Sequence, residues 1–423
     1  MSRLLLATFG LLLTLLSAAP ACAFGLDDVA AIAAREASAP YRASPPALPA
    51  ELAALDYDAM RDIRYRSERA VWRDQGLPFE LQFFHLGRNN RQPVQINQIV
   101  GGQVQPIHYD PAAWTFGKNR LNRNQWGDIG YAGFRVHTAL NQPGVRDELI
   151  VFLGASYFRA LGQGQRYGLS ARALAIDTVD APPGQGEEFP RFTTFWIERP
   201  AANAKALVIY ALLDSPSAAG AYRFTVTPGA ETVIEVEQRL YLRGPVARLG
   251  IAPLTSMYSS GENQPQPGDF RPEVHDSDGL MVQADGEALW RPLVNPSTPL
   301  VSSFSARSLL GYGLMQRDRN FASYEDDEAH YERRPSAWVE PVGDWGPGRV
   351  ELLQLHTPDE THDNIVAYWV PATQPAPGTP LALSYRLHWQ GDAQQMPAAA
   401  HVVQSRRGLG WKRAGDRSGD LQF

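Results

Sequence analysis

The sequence has little cysteine and little lysine. Its 423 residues include one cysteine, Cys22, and three lysines, and its 39 basic and 45 acidic residues give a net charge of −6. One cysteine cannot form an intramolecular disulfide or a cysteine-based metal centre. Because nucleic-acid binding depends on clustered cations that neutralise phosphates, a mildly acidic chain without a basic block is a poor candidate for that function.

Long hydrophobic runs are also scarce. One apolar run, residues 4–16, follows Arg3 and leads to Ala21-Cys22-Ala23. This order of a charge, a short apolar stretch and small residues predicts a Sec-type signal peptide over residues 1–23, without a twin-arginine pair. A membrane span needs about 20 apolar residues, so we expect no stable membrane insertion and an exported protein that loses Cys22 on cleavage.

The composition is that of a globular protein, with 44% hydrophobic, 10% aromatic and 20% charged residues. Helical spacing of apolar residues predicts one short helix over residues 24–36. Beyond it, short segments rich in β-branched and aromatic residues end at Gly, Pro, Asn or Asp, which predicts strands. The predicted strands are 79–86, 92–99, 148–153, 206–213, 221–226, 232–242, 349–355, 365–370 and 381–389. This pattern predicts an all-β protein, a large β-sandwich with long loops.

Residues 24–394 are predicted to form this one large domain. The Pro-rich stretch 371–380 resembles a boundary, but the strand after it has only the preceding domain to pair with. The polar, Gly-containing segment 395–423 shows no periodicity and is too short to form a core by itself.

No cofactor or metal is predicted. The glycines at 162, 164 and 168 do not have the spacing of a dinucleotide-binding loop and are typical of a turn between strands. The nine histidines show no zinc-binding spacing. Asp276-Ser277-Asp278-Gly279 resembles the opening of a calcium loop but lacks its later ligands, so an Asx-turn is the simpler interpretation.

Carboxylates beside aromatic residues are the remaining chemical signal. Three acidic clusters, at 273–278, 325–328 and 359–363, adjoin arginines or aromatic side chains. Glycoside hydrolysis uses one carboxylic acid to protonate the leaving oxygen and one carboxylate to activate water, while rings stack on sugar faces. Solvated turns would give the same pattern, and composition alone does not decide between the two interpretations.

Several blocks in order along the chain carry a family resemblance. They are FGLDDVAAIA, GASYFRALGQGQRYGLSARALAIDT, GEEFPRFTTFWIERP, IYALLDSP, GIAPLTSMY, FRPEVHDSDGL, RRPSAWVEPVGDWGPGRVELLQL and DNIVAYWVP. From residue 24 to about 410 the sequence resembles the osmoregulated periplasmic glucan biosynthesis proteins (OpgG/OpgD, or MdoG/MdoD). The Sec-type signal is more similar to the G member.

The resemblance implies a glucan-binding β-sandwich followed by a smaller immunoglobulin-like sandwich. Residues 395–423 would be the linker and the incomplete start of that second sandwich. It implies a periplasmic location and action on β-1,2-linked glucan, with other glucan-synthesis proteins as candidate partners. D-type members are similar to inverting endo-β-1,2-glucanases. By position, the general acid falls on Asp363, the general base on Asp276 and a proton-relay tyrosine on Tyr331.

Further residues are candidates for substrate binding. The aromatic candidates for stacking on sugar rings are Trp338, Trp290, Trp345 and Tyr324, and the polar candidates are Arg334 and His275. Each aromatic residue could equally belong to the core. Two functions stay open: an inverting β-1,2-glucanase-like enzyme, and a non-catalytic module that binds glucan during synthesis or branching.

Overall fold

The computed structural model describes residues 23–43, 48–179, 181 and 186–391. Apart from Ala23, the predicted signal peptide lies outside the described residues, and so does the segment 395–423 with its predicted start of a second domain.

Helices are short and few in the described part of the chain. The α-helices are α1 (Leu26–Ala37), α2 (Ala50–Ala53) and α3 (Tyr57–Arg61). Single 3₁₀ turns occur at Ser67–Arg69, Arg73–Gln75, Pro111–Ala113, Arg123–Gln125, Phe321–Ser323 and Tyr331–Arg333. Among the described residues, none of these helices has both the length and the apolar character that a membrane crossing requires.

Strands make up most of the regular structure. In chain order they are β1 (Arg64–Tyr65), β2 (Phe79–Phe84), β3 (Gln95–Val100), β4 (Gln103–Pro106), β5 (Trp114–Thr115), β6 (Gly133–Thr138), β7 (Asp147–Leu153), β8 (Tyr157–Ala160), β9 (Ser170–Arg172), β10 (Leu174–Ile176), β11 (Arg191–Glu198), β12 (Leu207–Asp214), β13 (Ala218–Thr227), β14 (Thr232–Leu242), β15 (Leu249–Ser256), β16 (Tyr258–Ser260), β17 (Val274–His275), β18 (Gly279–Ala284), β19 (Glu287–Pro292), β20 (Leu300–Ala306), β21 (Leu309–Met315), β22 (Ser336–Val342), β23 (Gly348–Gln354), β24 (Ile365–Pro371) and β25 (Leu381–Gln390).

Two large sheets form a sandwich. The ten-stranded sheet has the order β2-β6-β7-β8-β9-β15-β24-β23-β20, with β10 also paired to β15. The eleven-stranded sheet has the order β19-β18-β21-β22-β25-β14-β13-β12-β11-β3-β4. Within the described residues every strand pair is antiparallel except β3 with β11. The predicted all-β sandwich is therefore confirmed.

Aromatic side chains join the two sheets in the core. Phe224 on β13 is fully buried, and its ring centroid lies 5.3 Å from those of Phe152 on β7 and Phe158 on β8. These contacts cross from the eleven-stranded sheet to the ten-stranded sheet. The edge-to-face geometry of both pairs is one that aromatic rings favour in protein interiors.

Helix α1 covers part of the outer face of the eleven-stranded sheet. Asp28 accepts a hydrogen bond from the amide of Gly25 at 2.8 Å, and acidic residues in a first turn suit the helix dipole. Val29 and Ala33 are completely buried and pack in one cluster with Trp196 and Tyr210. The predicted N-terminal helix is confirmed, and its apolar stripe is what attaches it to the sheet.

The predicted strands are confirmed with shifts of a few residues at their ends. Each of the nine predicted segments overlaps an observed strand, and 232–242 matches β14 at both ends. The glycines at 162, 164 and 168 lie between β8 and β9, as the predicted turn requires. The strand after the Pro-rich stretch is β25, which pairs with β14 on one side and β22 on the other, in the middle of the eleven-stranded sheet.

Replacing Phe224 with alanine should lower the free energy of unfolding by about 3–5 kcal/mol, because the lost ring leaves a cavity between the sheets. Chemical denaturation of both proteins measures this difference. The control is Val145→Ala, since Val145 is 48% exposed between β6 and β7 and its truncation should cost about 0.5 kcal/mol or less. Equal losses for the two variants would contradict a core that depends on Phe224.

Candidate functional site

The outward face of the ten-stranded sheet carries polar side chains. Successive side chains of a strand point to opposite faces, so where Phe134 and Val136 enter the core, Arg135 and His137 face outward. We call the outward set the polar floor. Its members are Glu80, Gln82, Arg135, His137, Glu148, Tyr157, Arg159, Arg172 and Thr255. Glu80, Gln82 and Arg172 are almost completely buried, whereas Arg135 and Arg159 are partly exposed, so other parts of the chain cover this face only in part.

Side chains on the polar floor bind one another across strands. Arg135 donates to Glu148 and to Gln82, each at 2.9 Å, and so links β6 to β7 and β2. Burial raises the pKa of the neighbouring Tyr167 far above its ordinary value, and the charge of Glu148 acts in the same direction. Tyr167 therefore keeps its proton and can serve as a hydrogen-bond donor at neutral pH.

Arg172 is the most deeply buried cation of the polar floor. It is 3% exposed and donates to Thr255 Oγ1 at 3.1 Å and to Glu187 at 2.6 Å. Its guanidinium also lies 5.2 Å from the ring centroid of Tyr157 and 5.8 Å from that of Phe189. These partners hold Arg172 in one position beside the start of β24.

Asp363 precedes β24 and faces the polar floor. The next residue, Asn364, fixes this turn, because its side chain bonds both backbone groups of Tyr258 and the carbonyl of Leu355. Arg159 Nη2 lies 3.7 Å from Asp363 Oδ2. Burial raises the pKa of Asp363, and the charge of Asp276 raises it further, while Arg159 opposes the shift.

Asp276, Arg334 and Tyr331 form one packed group. Asp276 follows β17, is 4% exposed and accepts a hydrogen bond from Arg334 Nη1. The same guanidinium lies 4.0 Å from the ring centroid of Tyr331. Gly168 contacts the stem of Arg334 so closely that a Cβ at that position would lie 2.9 Å from the Arg334 Cβ. Arg334 therefore sits between Asp276, Tyr331 and the β8–β9 loop.

Gln316 and His275 support this group from beneath. Gln316 Nε2 donates to the backbone carbonyls of His275 and Tyr331, at 3.0 and 3.3 Å. The His275 ring is completely buried between Gln316 and Glu273. Burial alone would lower the pKa of His275, but the Glu273 carboxylate more than offsets this and raises it. His275 thus has a supporting position and no exposed surface for a sugar.

The structure brings the three sequence-predicted catalytic residues together. The charge of Asp276 acts on the pKa values of both Asp363 and Tyr331. Burial raises the pKa of Tyr331 far above its ordinary value, so its hydroxyl stays protonated. The two aspartates and the tyrosine therefore share one region above the polar floor. Arg334, predicted to bind substrate, lies within it.

The predicted stacking residues need correction. Trp338 is 1% exposed and packs on Met281 and Met315, and Tyr324 has no exposed surface. Trp345 is 8% exposed, and its indole donates to the Ser384 carbonyl. These three rings belong to the packing and present no free face to a sugar.

Trp290 is also engaged by protein groups. Its ring lies against Gly279, where a Cβ would be 2.0 Å from a ring carbon, and Arg317 stacks on it at 4.4 Å. Arg317 in turn binds Asp278, whose pKa is raised mainly by burial. The predicted Asx-turn interpretation of Asp278 is therefore replaced by a buried ion pair.

Arg271 connects segments from all three acidic regions. It bonds Asp269 at 2.9 Å, Asp326 at 2.9 Å and Glu360 at 2.7 Å. The solvated-turn interpretation does not hold for Asp326 of the second cluster and Glu360 of the third, because both bind the Arg271 guanidinium. We call this arrangement the Arg271 clamp, and it fixes the loops that carry Asp276, Tyr331 and Asp363.

One further group of carboxylates lies nearby. Within the described residues, ligand atoms of Glu262, Glu273 and Asp318 lie within 4.8 Å of one another, which is the spacing of a possible cation site. Burial raises the pKa of Asp318 to about 6, and Glu273, Asp278 and Glu262 raise it in the same direction. Proton uptake by Asp318 is thus one way in which this cluster relieves its repulsion.

Sequence reasoning missed the polar floor. Tyr157, Arg159 and Arg172 lie in a block quoted for the family resemblance, yet none was assigned a role. The signal was present as alternation: Tyr157 and Arg159 flank the apolar Phe158, which places both on one face of a strand.

A family model described as "Periplasmic glucan biosynthesis protein, MdoG" matches residues 24–423. Glucans biosynthesis protein G of Ralstonia nicotianae is 56% identical over 413 residues, which is 97% of this chain and 81% of the relative. The protein of the same name from Pseudomonas paraeruginosa is 52% identical, over 93% of this chain and 75% of the relative. That from Pectobacterium atrosepticum is 48% identical, over 93% and 76%.

An NMR titration of aspartate side chains tests the shared region. Asp363 should titrate above an ordinary aspartate, and Asp276→Asn should lower its pKa because one nearby negative charge is removed. Asp359 is the internal control, since its pKa is lowered by hydrogen bonds from Thr361 and should not respond. An unchanged Asp363 pKa in Asp276→Asn would mean that the two carboxyls do not face each other.

Proposed function

Because the chain belongs to the family of the periplasmic glucan biosynthesis protein MdoG, we propose that it acts in the periplasm on the β-1,2-linked backbone of a glucan, as an inverting endo-hydrolase. The observation that carries this proposal is the pairing of a carboxyl of raised pKa, Asp363, with a second, buried carboxyl, Asp276, above the polar floor.

Asp363 is the general acid in this proposal. A general acid must hold its proton near neutral pH, and burial together with the Asp276 charge favours the protonated form of Asp363. Asp363 gives this proton to the glycosidic oxygen as the bond to the anomeric carbon breaks. Asn364 contributes by fixing the turn from which Asp363 reaches the substrate.

Asp276 is the general base and acts through Tyr331. A water on the opposite side of the sugar gives a proton to the Tyr331 hydroxyl, which passes its own proton to Asp276 while the water oxygen bonds to the anomeric carbon. The raised pKa of Tyr331 supports this role, because a neutral phenol can accept one proton and release another. Arg334 holds both partners of the relay.

The polar floor supports binding of an extended saccharide. Its arginine, glutamine and carboxylate groups are held by one another in fixed geometry, as in the contacts of Arg135 with Glu148 and Gln82. Fixed donors and acceptors bind hydroxyl groups at a low entropic cost.

One observation favours a second function, non-catalytic glucan binding. The Arg334 guanidinium binds Asp276 directly, so this carboxylate already has a hydrogen-bond donor that must move before the carboxylate can accept a proton. A chain with this ion pair intact could hold glucan for synthesis or branching without cleaving it. Hydrolysis requires that substrate binding leave Asp276 able to accept a proton.

Asp363→Asn should abolish cleavage of linear β-1,2-glucan, because the amide cannot protonate the leaving oxygen. A loss of about 10³-fold or more in kcat is expected for a general acid that is essential to the step. Product chain lengths measured by chromatography give the rate. The matched control is Asp359→Asn in the same loop, which should keep the activity of the parent protein.

The stereochemistry distinguishes the mechanism. Inversion at a β-linked carbon requires that the first product formed be the α-anomer, which proton NMR detects before mutarotation. Binding of glucan without any cleavage after long incubation would reject the hydrolase and leave the binding function. Cleavage by Asp363→Asn at the parent rate would remove Asp363 from the role.

Arg159→Met should move the alkaline limb of the pH–rate profile to higher pH. The acid works only while protonated, so activity falls as the pH rises through the pKa of Asp363. Arg159 lowers that pKa, and its removal therefore raises it. Arg166→Met is the control, since Arg166 is exposed in the β8–β9 loop. A limb that stays in place or moves to lower pH would contradict the assignment of the limb to Asp363.

A further inference from the structure

A cavity of about 360 Å³ opens beside the polar floor, where β6 begins, β7 ends and β11 begins. Phe152, Phe192 and Phe195 lie at its base as part of the hydrophobic core, each with 2% or less of its surface exposed. Its charged wall consists of Arg88, Arg91 and Arg191. Of the polar-floor residues, Tyr157 is the one that lines this cavity.

All the charged side chains that line this cavity are positive. Among the residues that line it there is no aspartate or glutamate. The opposite residue on β12 is Asp214, but its carboxylate is bound by Arg243 at 2.8 Å. Within the described chain, the Arg191 side chain makes one long hydrogen bond, to the Gln92 carbonyl at 3.4 Å. Burial lowers the pKa of Arg191, and no neighbouring carboxylate offsets this cost.

A half-buried arginine without a counter-charge gains most from an anionic ligand. Guanidinium groups bind phosphate and carboxylate through pairs of parallel hydrogen bonds, which are about twice as strong as neutral ones. Arg88 and Arg91 are exposed on the 87–92 turn and can close on such a group from the solvent side.

Tyr157 connects this cavity to the candidate active site. Its ring stacks on Arg172, and the charges of Asp363 and Arg159 act on its hydroxyl. A saccharide lying along the polar floor from Asp363 would therefore meet Tyr157 and then the arginine wall.

We propose that this cavity is an anion subsite that binds a phosphate or carboxylate group carried by a saccharide on the polar floor. The saccharide part rests on the proposed function, whereas the anion part does not. The chain would thus accept charged saccharides, with the anionic group held by Arg191 and enclosed by Arg88 and Arg91.

Isothermal titration calorimetry with three probes tests this subsite: inorganic phosphate, glucose 6-phosphate and glucose. Glucose 6-phosphate should bind most tightly and glucose most weakly. Arg191→Met should raise the Kd of both phosphate probes about tenfold or more, because it removes a charge-assisted bidentate contact. Arg199→Met, which follows the other end of β11 and is exposed, is the matched control and should leave each Kd unchanged.

Two further variants keep the outcomes separate. If Arg191→Met does not fold, Arg88→Gln combined with Arg91→Gln should weaken both phosphate probes, since both side chains are exposed. Asp363→Asn should bind the phosphate probes as the parent protein does, even though it loses cleavage. The test of anion binding therefore does not depend on whether the hydrolase proposal is correct.

Two results would overturn the anion subsite. One is the absence of phosphate binding by the parent protein, and the other is equal phosphate binding by the parent protein and both arginine variants. Equal Kd values for inorganic phosphate and glucose 6-phosphate would overturn the saccharide assignment.

Discussion

Burial of charged side chains outside the hydrophobic core is the constraint on which this structure depends. The ten-stranded sheet packs its apolar side chains into the core. The polar side chains of its other face are partly covered by other parts of the chain. A buried charge is tolerated only when it is paired and hydrogen-bonded. Three ion pairs satisfy this requirement: Arg135 with Glu148, Arg172 with Glu187 and Arg334 with Asp276. Each pair fixes a side chain of the polar floor or of the loops above it.

The loops above the polar floor obey the same constraint. Asp276, Tyr331 and Asp363 come from three segments far apart in the chain, and loops of this kind are normally mobile. The Arg271 clamp joins these segments through Asp269, Asp326 and Glu360. Ion pairs that are partly buried are screened weakly by salt, so the geometry of the site is maintained by electrostatics as well as by packing.

Much of the fold could be predicted from sequence because strand alternation and turn residues are local signals. Strand β14 shows regular alternation and was placed correctly at both ends. Strand β15 was missed, because it contains Gly250 and Pro253 and its pairing with β24 shifts register between Ile251 and Leu254. In β15, tertiary packing outweighs local propensity.

The site could be predicted only in part. The family resemblance placed Asp276, Tyr331 and Asp363, and the structure brings them together, but their roles remain predictions. The aromatic candidates could not be resolved from sequence, since a tryptophan that packs in a core and one that stacks on a sugar give the same local pattern. Trp338 is the clear example: its burial follows from the small residues Gly311 and Gly313 on the neighbouring strand, where added Cβ atoms would meet its ring.

The position of β25 has a consequence for how this protein is made. Strand β25 is the last strand in the described part of the chain, yet it joins the two halves of the eleven-stranded sheet by pairing with both β14 and β22. Until residue 390 has emerged from the ribosome, that sheet is two separate pieces with open edges. The eleven-stranded sheet can therefore be completed only after nearly all of the described chain has been made, because β25 pairs with a strand far earlier in the sequence.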